Sequence, residues 1–328
     1  MSAEMQAMLA EIESASAIVH RDLAPTPQFH WPLLSERAGT DVWVKHENHQ
    51  PIGAFKLRGG LYYMHRLRHA APDVTGVISA TRGNHGQSLA YAGRKAGLAV
   101  TIVVPEGNNP EKNAAMRALG AELIEYGDDF QEAAEHAAQL ADQRGLHMVR
   151  SFHPWLVQGV STYALEFLRA VPDLETVYVP IGMGSGICGM IAARDALGLS
   201  TRIVGVVAEG APAYADSYWA SRVVTTPTAN TIADGLACRS PDATAVSVIA
   251  EGAARVVTVT DQQIMDAMRH YFTDTHNAAE GAAAAPLAAL LAETEAGQAV
   301  GGKVGLILSG GNADRLLFAQ ALSDAPAD

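Results

Sequence analysis

The chain has 328 residues, 48% hydrophobic and 18% charged, a core-forming composition that excludes a disordered protein and suits one large domain or two. With 23 Lys and Arg against 35 Asp and Glu the net charge is −12, which disfavours nucleic acid or an anionic membrane surface as a partner. Two cysteines, Cys188 and Cys238, without a CxxC spacing, cannot build a disulfide framework or a zinc site and point to a reducing, cytoplasmic setting.

Met1 to Val19 carries Glu4, Glu11 and Glu13 and no basic stretch before an apolar run, so it does not read as a signal peptide. No apolar run reaches the ~18 residues of a membrane span. Asp41 to Val44 reads as a strand, and a glycine turn at Gly53 leads into a helix from Phe55 to Leu67. Strands at Gly76 to Ser79, Val100 to Val104 and Glu122 to Tyr126 alternate with helices at Gly86 to Ala96, Asn109 to Leu119 and Asp129 to Gln143. A second alternating set has strands at Thr176 to Pro180, Arg202 to Ala208 and Val304 to Leu308. Its helices run from Ile187 to Leu197, from Gln262 to Thr273 and briefly from Asp314. The Ala/Leu-rich stretch Ala278 to Ala292 suits a buried helix. The strands are Val/Ile-rich and do not alternate, as strands buried on both faces do. Strand–helix alternation predicts an α/β fold: two open lobes with largely parallel sheets and a cleft between them.

Four segments carry chemistry. Lys56 sits where a glycine turn enters a helix, and the helix dipole and burial both lower a lysine pKa there, as a Schiff-base nucleophile needs. Thr81-Arg82-Gly83-Asn84-His85 follows a strand and opens a helix, a place where backbone amides bind a carboxylate. Gly182-Met183-Gly184-Ser185-Gly186 does the same for a phosphate. The third segment also fits a dinucleotide fingerprint, because Gly184-x-Gly186-x-x-Gly189 is followed by Glu209 at the end of the next strand. On its own it leaves a dinucleotide-dependent oxidoreductase open. Ser309, at the end of the last strand, offers a hydroxyl to a heteroaromatic nitrogen.

In combination, KxENxQxxGAFKxRG (from Lys45), GNHGQ (from Gly83), GxGSG (from Gly182) and SGGN (from Ser309) resemble the fold type II pyridoxal-phosphate enzymes. The similarity spans about residues 20 to 320 and is strongest to the serine/threonine dehydratase branch. It implies a tryptophan synthase β-like architecture. Residues 1–75 and 151–328 form a large cofactor-binding domain, and 76–150 a small domain with the substrate carboxylate loop. It also implies that Lys56 holds pyridoxal 5'-phosphate as a Schiff base and exchanges the Cα proton. Phe55 packs on the cofactor, Asn84 meets its 3-hydroxyl and Ser309 its ring nitrogen. Gly182, Met183, Gly184, Ser185 and Gly186 hold its phosphate. Thr81, Arg82, Gly83, Asn84, His85, Trp155 and Glu280 belong to the substrate pocket.

The implied reaction removes water and ammonia from a β-hydroxy amino acid, L-threonine and L-serine first, with phenylserine or hydroxyaspartate as alternatives. No metal is expected, because Ala215 stands where some relatives carry a second acid after Glu209. Arg82 stands where serine racemase carries a serine, so little racemisation is expected; its guanidinium stays charged and is a poor proton shuttle. His65 and His69 read as a solvated helix face, and His46 and His49 as structural. A homodimer without an isoleucine-binding regulatory domain completes the expectation.

Overall fold

The computed structural model describes residues 2–298 and 301–323. Six of its strands form one sheet: β1 (Gln28–His30), β2 (Asp41–His46), β7 (Leu174–Pro180), β8 (Arg202–Ala208), β9 (Arg255–Val259) and β10 (Lys303–Leu308). Their order is β1-β2-β10-β7-β8-β9, parallel throughout except for the antiparallel edge pair β1–β2. A second, wholly parallel sheet has the order β5-β4-β3-β6, from β3 (Gly76–Ala80), β4 (Ala99–Val104), β5 (Glu122–Glu125) and β6 (His147–Met148).

Of the non-alternating strands, β3, β4, β7, β8 and β10 are buried on both faces, whereas β5, at the edge of its sheet, is exposed or half-buried throughout. Val42, Val44, Tyr178, Val204 and Leu306 face the alanine-rich helix Gly281–Glu295. Val177, Val179, Ile203 and Ile307 face the helices Pro154–Ala170 and Ser185–Ala196. The small sheet packs through Val77, Val100 and Ile102 against the helix Lys56–Ala70, which ties the lobes together.

The helices of the functional loops start earlier than the spacing predicts. They begin at Asn84 and Ser185 rather than Gly86 and Ile187, so the glycines lie inside the first turn. Helix Lys56–Ala70 begins one residue later than expected, with Phe55 as its N-cap. Helix Pro154–Ala170 was not legible from the sequence. His153 caps it by accepting from Trp155 N at 3.1 Å, and Pro154 takes a first-turn position. No helix among the described residues is long and apolar enough to cross a membrane.

Candidate active site

Sheet order assembles the site. Because β10 lies between β2 and β7, the segments after these three strands leave one end of the sheet side by side. Open parallel sheets bind ligands at that end. After β2 comes the turn that leads to Lys56, after β7 the 181–186 loop, and after β10 the Ser309 segment. Backbone pairing fixes them together: Phe55 N donates to Ser309 O at 3.0 Å, and Gly311 N donates to Gly53 O at 2.9 Å.

Lys56 opens its helix, with Nζ 5.0 Å from the centre of the Phe55 ring and donating to Ser185 Oγ at 3.0 Å. Its amine is pushed down to about 8, by burial first, with the Glu280 carboxylate pulling the other way. The sequence-predicted lysine and phosphate loop are therefore within one hydrogen bond of each other.

Gly184 caps the helix Ser185–Ala196 with φ +93°, a conformation that suits glycine. A Cβ on Gly182 would lie 2.1 Å from Gly235 O. The loop is held from behind by two tyrosines that the motifs do not flag. Tyr214 donates to Met183 O at 2.9 Å, and Tyr163 donates to Gly186 O at 2.9 Å. Phe55 packs edge-on against Tyr163, with ring centres 6.1 Å apart. The third glycine of the fingerprint spacing serves packing, since a Cβ on Gly189 would lie 3.0 Å from Ser161 N of the neighbouring helix.

From the small lobe, Asn84 reaches across. Its Nδ2 donates to both oxygens of Glu280, at 2.8 and 3.1 Å. Glu280 is buried, and burial raises its carboxyl above the ordinary value while Lys112 and Asn84 work against that rise. His85 is buried beside this group, driven down to about 3 by burial and by Lys56, and its Nε2 is a buried atom without a hydrogen-bond partner. Thr81 is buried, and its Oγ1 accepts from Gly83 N at 3.2 Å.

Two expected pocket residues stand apart from this cluster. Arg82 is exposed. It lies near Asp129, whose carboxyl is held low first by the Glu132 backbone amide and in small part by Arg82. Trp155 packs on Tyr63 and His153, with ring centres 5.4 and 4.9 Å away, and under the Arg66 guanidinium at 5.2 Å.

Three further residues were not predicted. Lys112 Nζ pairs with Asp234 at 2.8 Å, linking the small lobe to the large one. Its methylenes lie against Gly83, where an added Cβ would be 3.0 Å from Cδ. Asn312 donates to Asn84 Oδ1 at 2.8 Å. Only Asn312 had a sequence signal, as the last residue of SGGN.

The donor set fits pyridoxal phosphate. It offers a primary amine of lowered basicity, a glycine loop at a helix N-terminus where a Cβ on Gly186 would meet nothing in the chain nearer than the Phe55 ring at 3.6 Å, a buried Ser309 and an unsatisfied buried His85 nitrogen.

A family model described as pyridoxal-phosphate dependent enzyme matches residues 19–310. An L-threonine ammonia-lyase of Geobacter sulfurreducens is 35% identical over 304 residues, 92% of this chain and 75% of the relative. An L-threo-3-hydroxyaspartate ammonia-lyase of Saccharomyces cerevisiae is 31% identical over 314 residues, 95% of each chain. The solved structure of the processed form of threonine deaminase isoform 2 from Solanum lycopersicum superposes with a TM-score of 0.92 at 28% identity, covering 100% of this chain and 95% of that one.

Proposed function

This chain belongs to the pyridoxal-phosphate dependent enzyme family, and from that premise we propose that it deaminates L-threonine and L-serine by β-elimination, with Lys56 as the covalent anchor and proton carrier. The family match covers most of the chain, and ammonia-lyases recur among its relatives. The single observation that carries the assignment of Lys56 is its buried amine, lowered to about 8, one hydrogen bond from the glycine loop at Ser185.

Bound there, pyridoxal phosphate supplies the sink for the electrons left behind when the substrate Cα–H bond breaks. The remaining work falls to the chain. Backbone N–H groups of Gly184, Ser185 and Gly186, at a helix N-terminus, would hold the phosphate dianion. The first amides of helix Asn84–Lys95 lack helical partners and receive the substrate carboxylate. Lys56 Nζ, neutral in a useful fraction near pH 8, accepts the Cα proton. Ser309, a buried neutral hydroxyl rather than a carboxylate, would not favour protonation of the ring nitrogen, which would suit elimination over transamination. The Cα proton taken up by Lys56 balances the departure of the β-hydroxyl as water, and hydrolysis of the resulting enamine by a second water gives a 2-oxo acid and ammonia. We take the two sheets as the large and small domains, 1–75 with 151–328 and 76–150.

A second substrate, 3-hydroxyaspartate, is favoured by Lys112. Its ammonium stands beside the carboxylate loop at Gly83, and the yeast relative of that activity matches end to end.

The test is turnover of four substrates by the purified, pyridoxal-phosphate-loaded protein: L-threonine, L-serine, L-threo-3-hydroxyaspartate and phenylserine. Ammonia and the matching 2-oxo acid from threonine and serine support the reading. Product from hydroxyaspartate alone moves the substrate to the acidic class. No ammonia from any of the four, with the cofactor band present, overturns it.

A further inference from the structure

Three side-chain amide and carboxylate groups form a chain whose direction is fixed by its ends. At one end Asn312 Nδ2 donates to the backbone carbonyl of Ile52 at 2.9 Å, and a carbonyl can only accept. The same nitrogen donates its other proton to Asn84 Oδ1 at 2.8 Å. Asn84 must then turn its nitrogen the other way, towards Glu280 at 2.8 and 3.1 Å. A carboxylate there again can only accept. Flipping either amide sets oxygen against oxygen or NH2 against NH2.

The place of Asn312 in the fold gives this chain a reach beyond its own loop. Its side chain lies over Gly53, where an added Cβ would sit 2.8 Å from Asn312 Oδ1, and Gly53 has φ +68°. Asn312 therefore bridges the turn that leads to Lys56, the segment after the last strand, and the small-lobe helix that starts at Asn84.

We propose that Asn312 is a positioning residue that holds the Asn84 amide with its NH2, not its carbonyl, on the side of Glu280, so that one N–H stays on that carboxylate and the other is free to turn to the 3-hydroxyl oxygen of bound cofactor. This rests on the reading that Asn84 meets that oxygen. A donor there favours the ionised ring oxygen, so reversing or loosening the amide alters the electronic state of bound pyridoxal phosphate as well as its affinity.

The experiment is a double-mutant cycle on the holoenzyme, read by the visible absorption maximum of bound pyridoxal phosphate and by its dissociation constant. The variants are Asn312→Asp, Asn312→Ser, Asn84→Ala and Asn84→Ala with Asn312→Ser. Asp keeps the shape without the donor. Ser keeps a donor but is too short to reach Asn84, and it replaces Asp if Asp does not fold. The expected result is a shift of the maximum in the direction of Asn84→Ala and about tenfold weaker cofactor binding, the size of one charge-assisted hydrogen bond. Adding the Asn312 change to Asn84→Ala should then cost nothing further. A wild-type spectrum in both Asn312 variants, even with a lowered melting temperature, overturns the proposal, and so do additive effects. If wild-type protein binds no pyridoxal phosphate, the underlying assignment of Lys56 fails instead.

Discussion

Arg58 grips Glu47 with two parallel hydrogen bonds, Nε to Oε2 at 2.7 Å and Nη2 to Oε1 at 3.0 Å, and neither side chain is exposed. The same guanidinium reaches Glu166, which Lys45 Nζ also meets at 2.7 Å, and Thr26 donates to Glu47. Arg58 and Lys45 hold the Glu166 carboxyl down at about 2 despite its burial. Lys45, Glu47 and Arg58 are charged residues of the first motif around Lys56. They do not meet the site. They brace the helix two residues beyond Lys56 against the helix Pro154–Ala170. Arg58→Met should therefore leave the buried Glu47 carboxylate without a counter-charge, with Glu166 kept by Lys45, and lower stability by about 3–5 kcal/mol. Urea denaturation checks this: the midpoint should fall with an unchanged slope, whereas a midpoint within error of wild type would remove the bracing role.

Lys56 gives a pH prediction. With its amine at about 8, about half is neutral at pH 8, against about one part in 300 for an ordinary lysine. Capture of pyridoxal phosphate by the cofactor-free protein should accelerate through a midpoint near pH 8. The same shift destabilises the cofactor-free fold at low pH. Between about 8 and the ordinary 10.5 the unfolded chain binds more protons, so stability rises with pH across that window. Stopped-flow growth of the visible band reads the first effect. A rate still climbing one unit for unit beyond pH 9 would contradict it. Lys56→Ala should bind no cofactor that borohydride can fix and should lose at least about a thousandfold in turnover, the upper range for removing a covalent and proton-transfer group.

The proposed phosphate loop separates two glycines. Gly182→Ala brings a Cβ to 2.1 Å from the backbone carbonyl oxygen of Gly235. It should fold poorly or open the loop, and it should lose cofactor affinity with stability. A Cβ on Gly186 meets nothing in the chain nearer than the Phe55 ring at 3.6 Å. Gly186→Ala should fold normally, so any loss of cofactor affinity reports intrusion on the bound phosphate itself. Parallel melting curves and cofactor titrations of the two variants decide the matter.

Legibility followed physics that repeats locally. Seven of the ten described strands were visible, most of them because burial on both faces writes continuous Val/Ile runs, as in β3 and β10, whereas the short β1 and β6 and the half-buried edge strand β9 were not. Lys56, the 182–186 loop and Ser309 were visible because glycine turns at strand–helix junctions announce themselves. Lys112, Tyr163 and Tyr214 were not. They reach the site from helices remote in sequence, and a lysine or a tyrosine on a helix looks the same whether it faces solvent or a loop. The helix Pro154–Ala170 was missed because its His-Pro start reads as a turn until His153 is seen to cap it. Arg82 and Trp155 entered the expected pocket by motif position; Arg82 is exposed near Asp129, and Trp155 packs on Tyr63 and His153 under Arg66.

Lys112 and Glu280 together set an acid limit. Glu280 has its carboxyl raised by burial, and among the groups that oppose the rise Lys112 is the strongest, while Asp234 adds to it. Lys112→Met keeps the methylenes against Gly83, removes the ammonium and frees Asp234 from its partner. Both changes push the Glu280 carboxyl further up. A protonated Glu280 no longer takes two hydrogen bonds from Asn84 as a pure acceptor, so the acid limb of the pH–rate profile should move to higher pH. The linkage runs the same way: with a folded value above the unfolded one, the native state binds more protons, and stability falls as pH rises through that window. The variant widens the window. If Lys112 also takes the second carboxylate of 3-hydroxyaspartate, kcat/KM for that substrate should fall at least about tenfold more than for threonine, the loss expected of one charged hydrogen bond. Equal losses on both substrates, with an unmoved acid limb, would leave Lys112 as no more than a link between the lobes.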